Sequence, residues 1–175
     1  MKGQVIWITG LSGAGKTTVA TALNEYLKKD GLMPILLDGD ELRKVFNSKA
    51  EVNGSYCREE RIIISKKYSL LCKTLSTQGF TVIIATVSMF NEIYAWNRIN
   101  LPNYFEIYLD VPFTELCRRD PKNIYKKFNS GLIKNVSGLD LKVDRPTKAD
   151  LAVIFKQDQT PNEIIDTIIE KLELK

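Results

Sequence analysis

An α/β fold, with a five-stranded parallel sheet between two layers of helices, is predicted by three features of this sequence. Short apolar runs alternate with longer amphipathic stretches. The runs are apolar throughout rather than at every second residue, as strands covered on both faces are. The first run stops at a glycine-rich turn that opens straight into a helical pattern. At 175 residues the chain suits one domain spanning 1–175, because a second core would leave each half thin.

The elements follow in order. Val5-Ile6-Trp7-Ile8 is too short for a helix and reads as a buried strand. From Lys16 to Lys29, Val19, Leu23 and Leu27 recur on one face, and Gly31 stands just past the end as a C-cap. Met33 to Leu37 gives a second strand leading into Asp38-Gly39-Asp40, and a short helix follows over Glu41 to Phe46. Ser55 is positioned to cap a long helix with Glu59 and Glu60 in its first turn, Ile64, Tyr68, Leu71, Cys72 and Leu75 as its buried stripe, and Gly79 at its end. Three more strands fall at Thr81 to Val87, Phe105 to Leu109 and Leu151 to Phe155, with helices between them. An amphipathic helix from Asn162 to Leu172 comes last. The stretch from Pro121 to Thr147 is too long for a simple connector and is expected to be irregular.

Composition narrows the function classes. Hydrophobic residues at 44% and charged residues at 26% are globular values, and no run reaches the ~20 apolar residues of a bilayer span. No membrane partner and no export signal are expected, and Cys57, Cys72 and Cys117 fit reduced cytoplasmic thiols better than a disulfide or zinc framework. A net charge of +4 is too small to imply a nucleic acid polymer as partner. The charge is unevenly spread, however: Arg118, Arg119, Lys122, Lys126, Lys127 and Lys134 crowd a segment where Asp120 is the lone acid, which suits a lid over phosphates at about 118–147. The chain has no histidine, so either the proton acceptor is a carboxylate or the chemistry needs little general base help.

Gly10-Leu11-Ser12-Gly13-Ala14-Gly15-Lys16-Thr17 carries the strongest chemistry. It satisfies the complete phosphate-loop pattern and lies between a strand and a helix, where that pattern works. Its amides form an anion nest at a helix N-terminus, Lys16 reaches the β and γ phosphates, and the Thr17 hydroxyl is a magnesium ligand. ATP and Mg2+ are therefore expected, with Gly10, Ser12, Gly13, Ala14, Gly15, Lys16, Thr17 and Thr18 around the nucleotide. Asp38 and Asp40 stand on the same edge of the sheet. Asp38 is the first candidate to orient magnesium-bound water or to accept the acceptor's proton, and Asp40 is the alternative. Asp110 also ends a strand on that edge, or else caps the next helix.

Together these blocks resemble the adenylylsulfate kinase family of P-loop kinases across nearly the whole chain. The resemblance is carried by Gly10 to Thr18, by Leu37-Asp38-Gly39-Asp40 with Arg43, by Arg119-Asp120-Pro121-Lys122-Asn123-Ile124-Tyr125-Lys126-Lys127, and by Gly131-Leu132-Ile133-Lys134 with Ser137-Gly138-Leu139-Asp140. It implies a three-layer αβα sandwich with a basic lid, and phosphorylation of the ribose 3′-hydroxyl of a small anionic nucleotide by Mg-ATP. It further implies that Arg43, Arg58 and the strand end at Val87 and Ser88 meet the acceptor. In the basic lid, Lys122 and Lys134 are expected to close on the phosphates or acceptor, and Arg119, with Arg118 beside it, to stabilise the transferring phosphoryl. A homodimer would be ordinary for such an enzyme.

Departures from the family pattern lie at the acceptor. An asparagine expected three residues after Arg58 is Arg61, and the Ser-Pro-aromatic-Arg run is Ser88-Met89-Phe90-Asn91. Two phenylalanines that hold adenine in that family fall at Asn53 and Val136. Losing such stacking removes about 1–3 kcal/mol per base, enough to change the preferred base. The pattern looks most like the family's cytidine diphosphoramidate kinases, linked to phosphoramidate modification of capsular polysaccharide. Adenylylsulfate is the alternative acceptor. A nucleotide switch without kinase turnover is the alternative of another class, hinted at by Thr147-Lys148-Ala149-Asp150, which resembles a guanine-reading motif but precedes its strand.

Overall fold

The computed structural model describes residues 3–46 and 57–173. Five parallel strands run in the order β2-β3-β1-β4-β5: β1 (Gln4–Thr9), β2 (Ile35–Asp38), β3 (Thr81–Ala85), β4 (Tyr104–Asp110) and β5 (Leu151–Ile154). The helices are α1 (Lys16–Lys29), α2 (Gly39–Val45), α3 (Arg58–Thr77), α4 (Asn91–Asn100), α5 (Phe113–Arg119), α6 (Ile124–Asn129) and α7 (Pro161–Glu173). This is the predicted αβα arrangement.

Alternate residues of β1 feed the two cores. Ile6 and Ile8 pack with Val19, Leu23, Leu27 and Ile168 on the α1 and α7 face, while Val5 and Trp7 pack with Tyr68, Cys72 and Ile93 on the α3 and α4 face. All four of these strand residues are fully buried, which contributes about 1.5–3 kcal/mol for each aliphatic side chain. Because β1 is central and covered on both sides, the loop at its carboxyl end is held on a rigid base.

Several boundaries differ from the sequence expectation for local reasons. β2 begins at Ile35 rather than Met33, since Pro34 has no N–H to give the ladder and Met33 is largely exposed. α2 begins at Gly39 because Asp38 caps it directly, its Oδ1 accepting from Asp40 N at 2.8 Å. For α3 the N-cap position is Cys57, whose N–H donates to Glu60 Oε2 at 3.0 Å; Ser55 lies outside the described residues. β3 stops at Ala85, although Thr86 N still donates to Ile8 O.

The basic segment is not wholly irregular. α6 forms inside it because Asp120 accepts from Tyr125 N and Lys126 N, satisfying two amides that a helix start leaves unpaired. Beyond α6 the chain makes a compact turn in which Asp140 accepts from Asn135 N and Val136 N. Among the described residues no helix is long and apolar enough to cross a membrane.

Candidate active site

The phosphate loop, the end of β2, the end of β3 and the basic segment enclose a cleft of about 1040 Å³. Gly13 and Gly15 turn the loop through left-handed backbone (φ 80° and 92°), which glycine adopts without a Cβ penalty. Lys16 folds back so that its Nζ donates to Leu11 O at 2.8 Å. Burial lowers its pKa to about 8, against the opposing pull of the nearby Asp40 carboxylate.

Asp38 links the loop to β2. Its Oδ2 accepts from Thr17 Oγ1 at 2.8 Å while its Oδ1 caps α2, so one carboxylate fixes two elements. Asp40 faces cations: Arg43 donates to its Oδ1 at 3.0 Å and Lys122 Nζ to its Oδ2. Burial raises the Asp40 pKa, but Lys122, Arg43 and Lys16 outweigh it and hold the carboxyl below its ordinary value. Gly39 between the two aspartates is in close contact, because a Cβ there would stand 2.9 Å from Thr86 Oγ1.

The basic residues divide into two groups. Arg119, Lys122 and Lys134 line the cleft, whereas Arg118, Lys126 and Lys127 do not. Glu115 separates the arginines. It accepts from Arg119 Nε at 2.7 Å, and that guanidinium also reaches Gly13 O at 3.4 Å; Arg118 makes its own pair with Glu115 at the surface. Tyr125 of α6 seats the segment on the loop, its hydroxyl donating to Ser12 O at 2.9 Å.

Of the expected acceptor residues, Arg43, Arg61, Val87, Lys122, Lys134 and Val136 line the cleft with Asp38 and Asp40. Ser88 instead lines a smaller recess at the cleft's side, together with Arg43, Arg61, Thr86 and Val87. Arg58 lines neither. It donates to Asp144 Oδ2 at 2.7 Å and to Lys142 O, with its guanidinium 4.9 Å from the Phe90 ring centre, and so ties α3 to the chain after the basic segment. Asp110 accepts from Tyr108 Oη and does not cap α5, whose N-cap is Pro112. Asn53 lies outside the described residues, and Val136 is buried. Sequence reasoning missed Ser65, Thr86, Tyr125 and Ser137; a hydroxyl two residues before Ser88 at a strand's carboxyl end was the available signal for Thr86.

The sequence pattern of the family described as Adenylylsulphate kinase matches residues 2–154. The chain belongs to the adenylylsulphate kinase family. It is 44% identical over 170 residues to the cytidine diphosphoramidate kinase of Campylobacter jejuni, spanning 97% of this chain and 96% of that one. It is 38% identical over 173 residues to the adenylyl-sulfate kinase of Clostridium acetobutylicum, spanning 98% and 84%. In three dimensions it is similar to the Mycobacterium tuberculosis APS kinase in complex with AMPPNP and APS, with a TM-score of 0.86, 29% identity and 98% of each chain covered. Membership makes this protein a kinase.

Proposed function

We propose that this kinase transfers the γ-phosphoryl group of ATP to the ribose 3′-hydroxyl of cytidine diphosphoramidate, giving the 3′-phosphate and ADP. The observation that carries the reading is that one cleft is lined by Lys16 and Thr17 of the phosphate loop, by Asp38 and Asp40, and by Arg43 and Arg61. The 44% likeness to a cytidine diphosphoramidate kinase supports that acceptor.

In the transfer, the acceptor oxygen bonds to the γ-phosphorus as the bond to the β,γ-bridging oxygen breaks, and the hydroxyl proton goes to a carboxylate. Asp40 is tied to two cations that oppose its protonation, which favours Asp38 as proton acceptor and leaves Asp40 to orient the lysine and the arginine. Thr17 Oγ1 would hold magnesium together with phosphates and water, and Asp38 Oδ2, hydrogen-bonded to that hydroxyl, would orient one of those waters and not bind the ion directly. When bound, the ion neutralises charge on the transferring phosphoryl. Lys16 and Arg119, which both reach carbonyls of the phosphate loop, supply positive charge to a loose transition state. Lys122 and Lys134 bring further positive charge to the cleft from the basic segment.

Steady-state assays with cytidine diphosphoramidate, adenylylsulfate and no acceptor test the reading. A higher kcat/KM for the cytidine nucleotide is expected, and a clear preference for adenylylsulfate would overturn it. Adenylylsulfate is the second reading, favoured by the likeness to an APS-bound kinase. ATP consumption without acceptor would point instead to a nucleotide switch.

A further inference from the structure

Beside the main cleft lies a recess of about 30 Å³, room for one or two non-hydrogen atoms, that shares the walls Arg43, Arg61, Thr86, Val87 and Ser137 with the cleft. Its lining is rich in hydroxyls. Ser65 Oγ and Ser88 Oγ share a hydrogen bond of 2.7 Å, and Ser88 Oγ shares another of 2.8 Å with Thr86 Oγ1. Ser137 is nine-tenths buried, and its Oγ has no hydrogen-bond partner among the described residues.

An unpartnered buried hydroxyl costs on the order of 1–3 kcal/mol, so one at a ligand cleft points to a group that would satisfy it. The hydrogen-bonding capacity of the hydroxyls narrows that group. Each hydroxyl has one proton and two lone pairs, so the three-hydroxyl chain spends two of its three protons internally and keeps four of six lone pairs. Ser137 adds one proton and two lone pairs. The hydroxyls of the recess are therefore rich in acceptors and match a ligand group that donates, while the Arg43 and Arg61 guanidinia on the same walls supply donors for oxygens. A sulfate or phosphate terminus has only oxygens to offer and would use the few donors; an amino group uses the lone pairs. Arg43 and Arg61 at the same walls call for an anion bonded to that amino group.

Resting on the acceptor reading above, we infer that the recess formed by Ser65, Thr86, Ser88 and Ser137 receives the amino group of the acceptor's phosphoramidate while Arg43 and Arg61 hold its phosphoryl oxygens. These hydroxyls then determine specificity, telling P–NH2 from P–O.

The test compares kcat/KM for cytidine diphosphoramidate, CDP and uridine diphosphoramidate in the wild type and in Thr86→Val and Ser137→Ala. CDP exchanges the terminal P–NH2 for P–OH and so adds one ionisable oxygen, and the uridine compound changes only the base edge, with O4 and N3–H in place of the amine and the N3 lone pair. Each variant is expected to lower the preference for cytidine diphosphoramidate over CDP by about threefold to tenfold, the worth of one hydrogen bond, and to leave the preference over uridine diphosphoramidate unchanged. An unchanged ratio to CDP overturns the inference, and so does a change confined to the uridine ratio, which would assign the recess to the base. Binding of ADP, which the recess does not line, reports whether each variant is folded, and Ser65→Ala replaces either one that is not. A wild-type enzyme that rejects cytidine diphosphoramidate refutes the acceptor reading itself, whereas an active wild type with insensitive variants refutes only the role of the recess.

Discussion

Lys122 Nζ donates to the Asp40 carboxylate across 82 residues of sequence, joining the basic segment to the turn that follows β2. Asp40 is only partly shielded, so the pair's worth lies in placing charge at the cleft more than in holding the fold. Burial alone would raise the Asp40 pKa, and the lysine is the largest influence that lowers it. Lys122→Met is expected to shift the acid limb of the kcat/KM profile to higher pH and to reduce kcat/KM at neutral pH by about tenfold. The sign follows from linkage: a depressed carboxyl contributes above its ordinary value and loses that contribution as pH falls through its value in the fold. A profile that keeps its acid limb in the variant would contradict the assignment.

In the proposed transfer, Lys16 serves the phosphate end and Asp38 the acceptor end. Lys16→Ala and Asp38→Asn should each lower kcat by at least about a hundredfold, the scale of losing one preorganised charge, with the circular dichroism spectrum unchanged. A near-normal rate for either variant removes that residue from the mechanism.

The lowered Lys16 pKa makes nucleotide binding pH-dependent. Below about 8 the free enzyme already carries the ammonium that an anionic phosphate tail needs; above it, binding must recruit a proton. Affinity for ADP is expected to fall by up to about tenfold per pH unit above that value. Calorimetry in buffers of different ionisation enthalpy should register proton uptake near pH 8.5 and little at pH 6.5.

Gly39 and Gly15 differ in how alanine would fail. At Gly39 the added carbon meets Thr86 Oγ1 at 2.9 Å and Ala85 O at 3.2 Å, so the substitution must push Asp38 and Asp40 away from β3. Gly39→Ala is expected to lower kcat/KM at least tenfold and to cost roughly 1–3 kcal/mol in denaturant unfolding. At Gly15 nothing stands within 4 Å and only the left-handed backbone is strained, a cost of about 1–2 kcal/mol that shows in stability.

Removing the Tyr125 hydroxyl tests how the basic segment is seated. Tyr125→Phe keeps the edge-on packing against Phe113 but loses the bond to Ser12 O. It should cost about 0.5–1.5 kcal/mol in stability and raise the KM for ATP a few-fold. An unchanged KM would leave the tyrosine a packing role only.

Much of this was legible in the sequence where the signals were local. α1 runs over Lys16–Lys29 as expected because the loop starts it and Gly31 stops it within one contiguous stretch. The phosphate loop and Asp38-Gly39-Asp40 were readable because short-range backbone rules confine such residues to a strand's carboxyl end. α6 was hidden, since Asn123 enters it through left-handed backbone and its amides are satisfied by Asp120 from the preceding turn. Arg58 could not be placed, because its partner Asp144 lies 86 residues away. The hydroxyls of the recess come from α3, from the end of β3 and from the turn after α6, and only tertiary packing brings them together.

The bond from Tyr125 to Ser12 has a directional consequence. A peptide unit is flat and trans, so whatever fixes its oxygen also aims the N–H on the opposite side. By fixing the Ser12 carbonyl, the tyrosine also fixes the Gly13 amide of the same peptide unit, in a loop that lines the cleft. A phenol 113 residues downstream thus sets the orientation of one loop dipole, and the same contact that roots the covering segment also stiffens the loop beneath it.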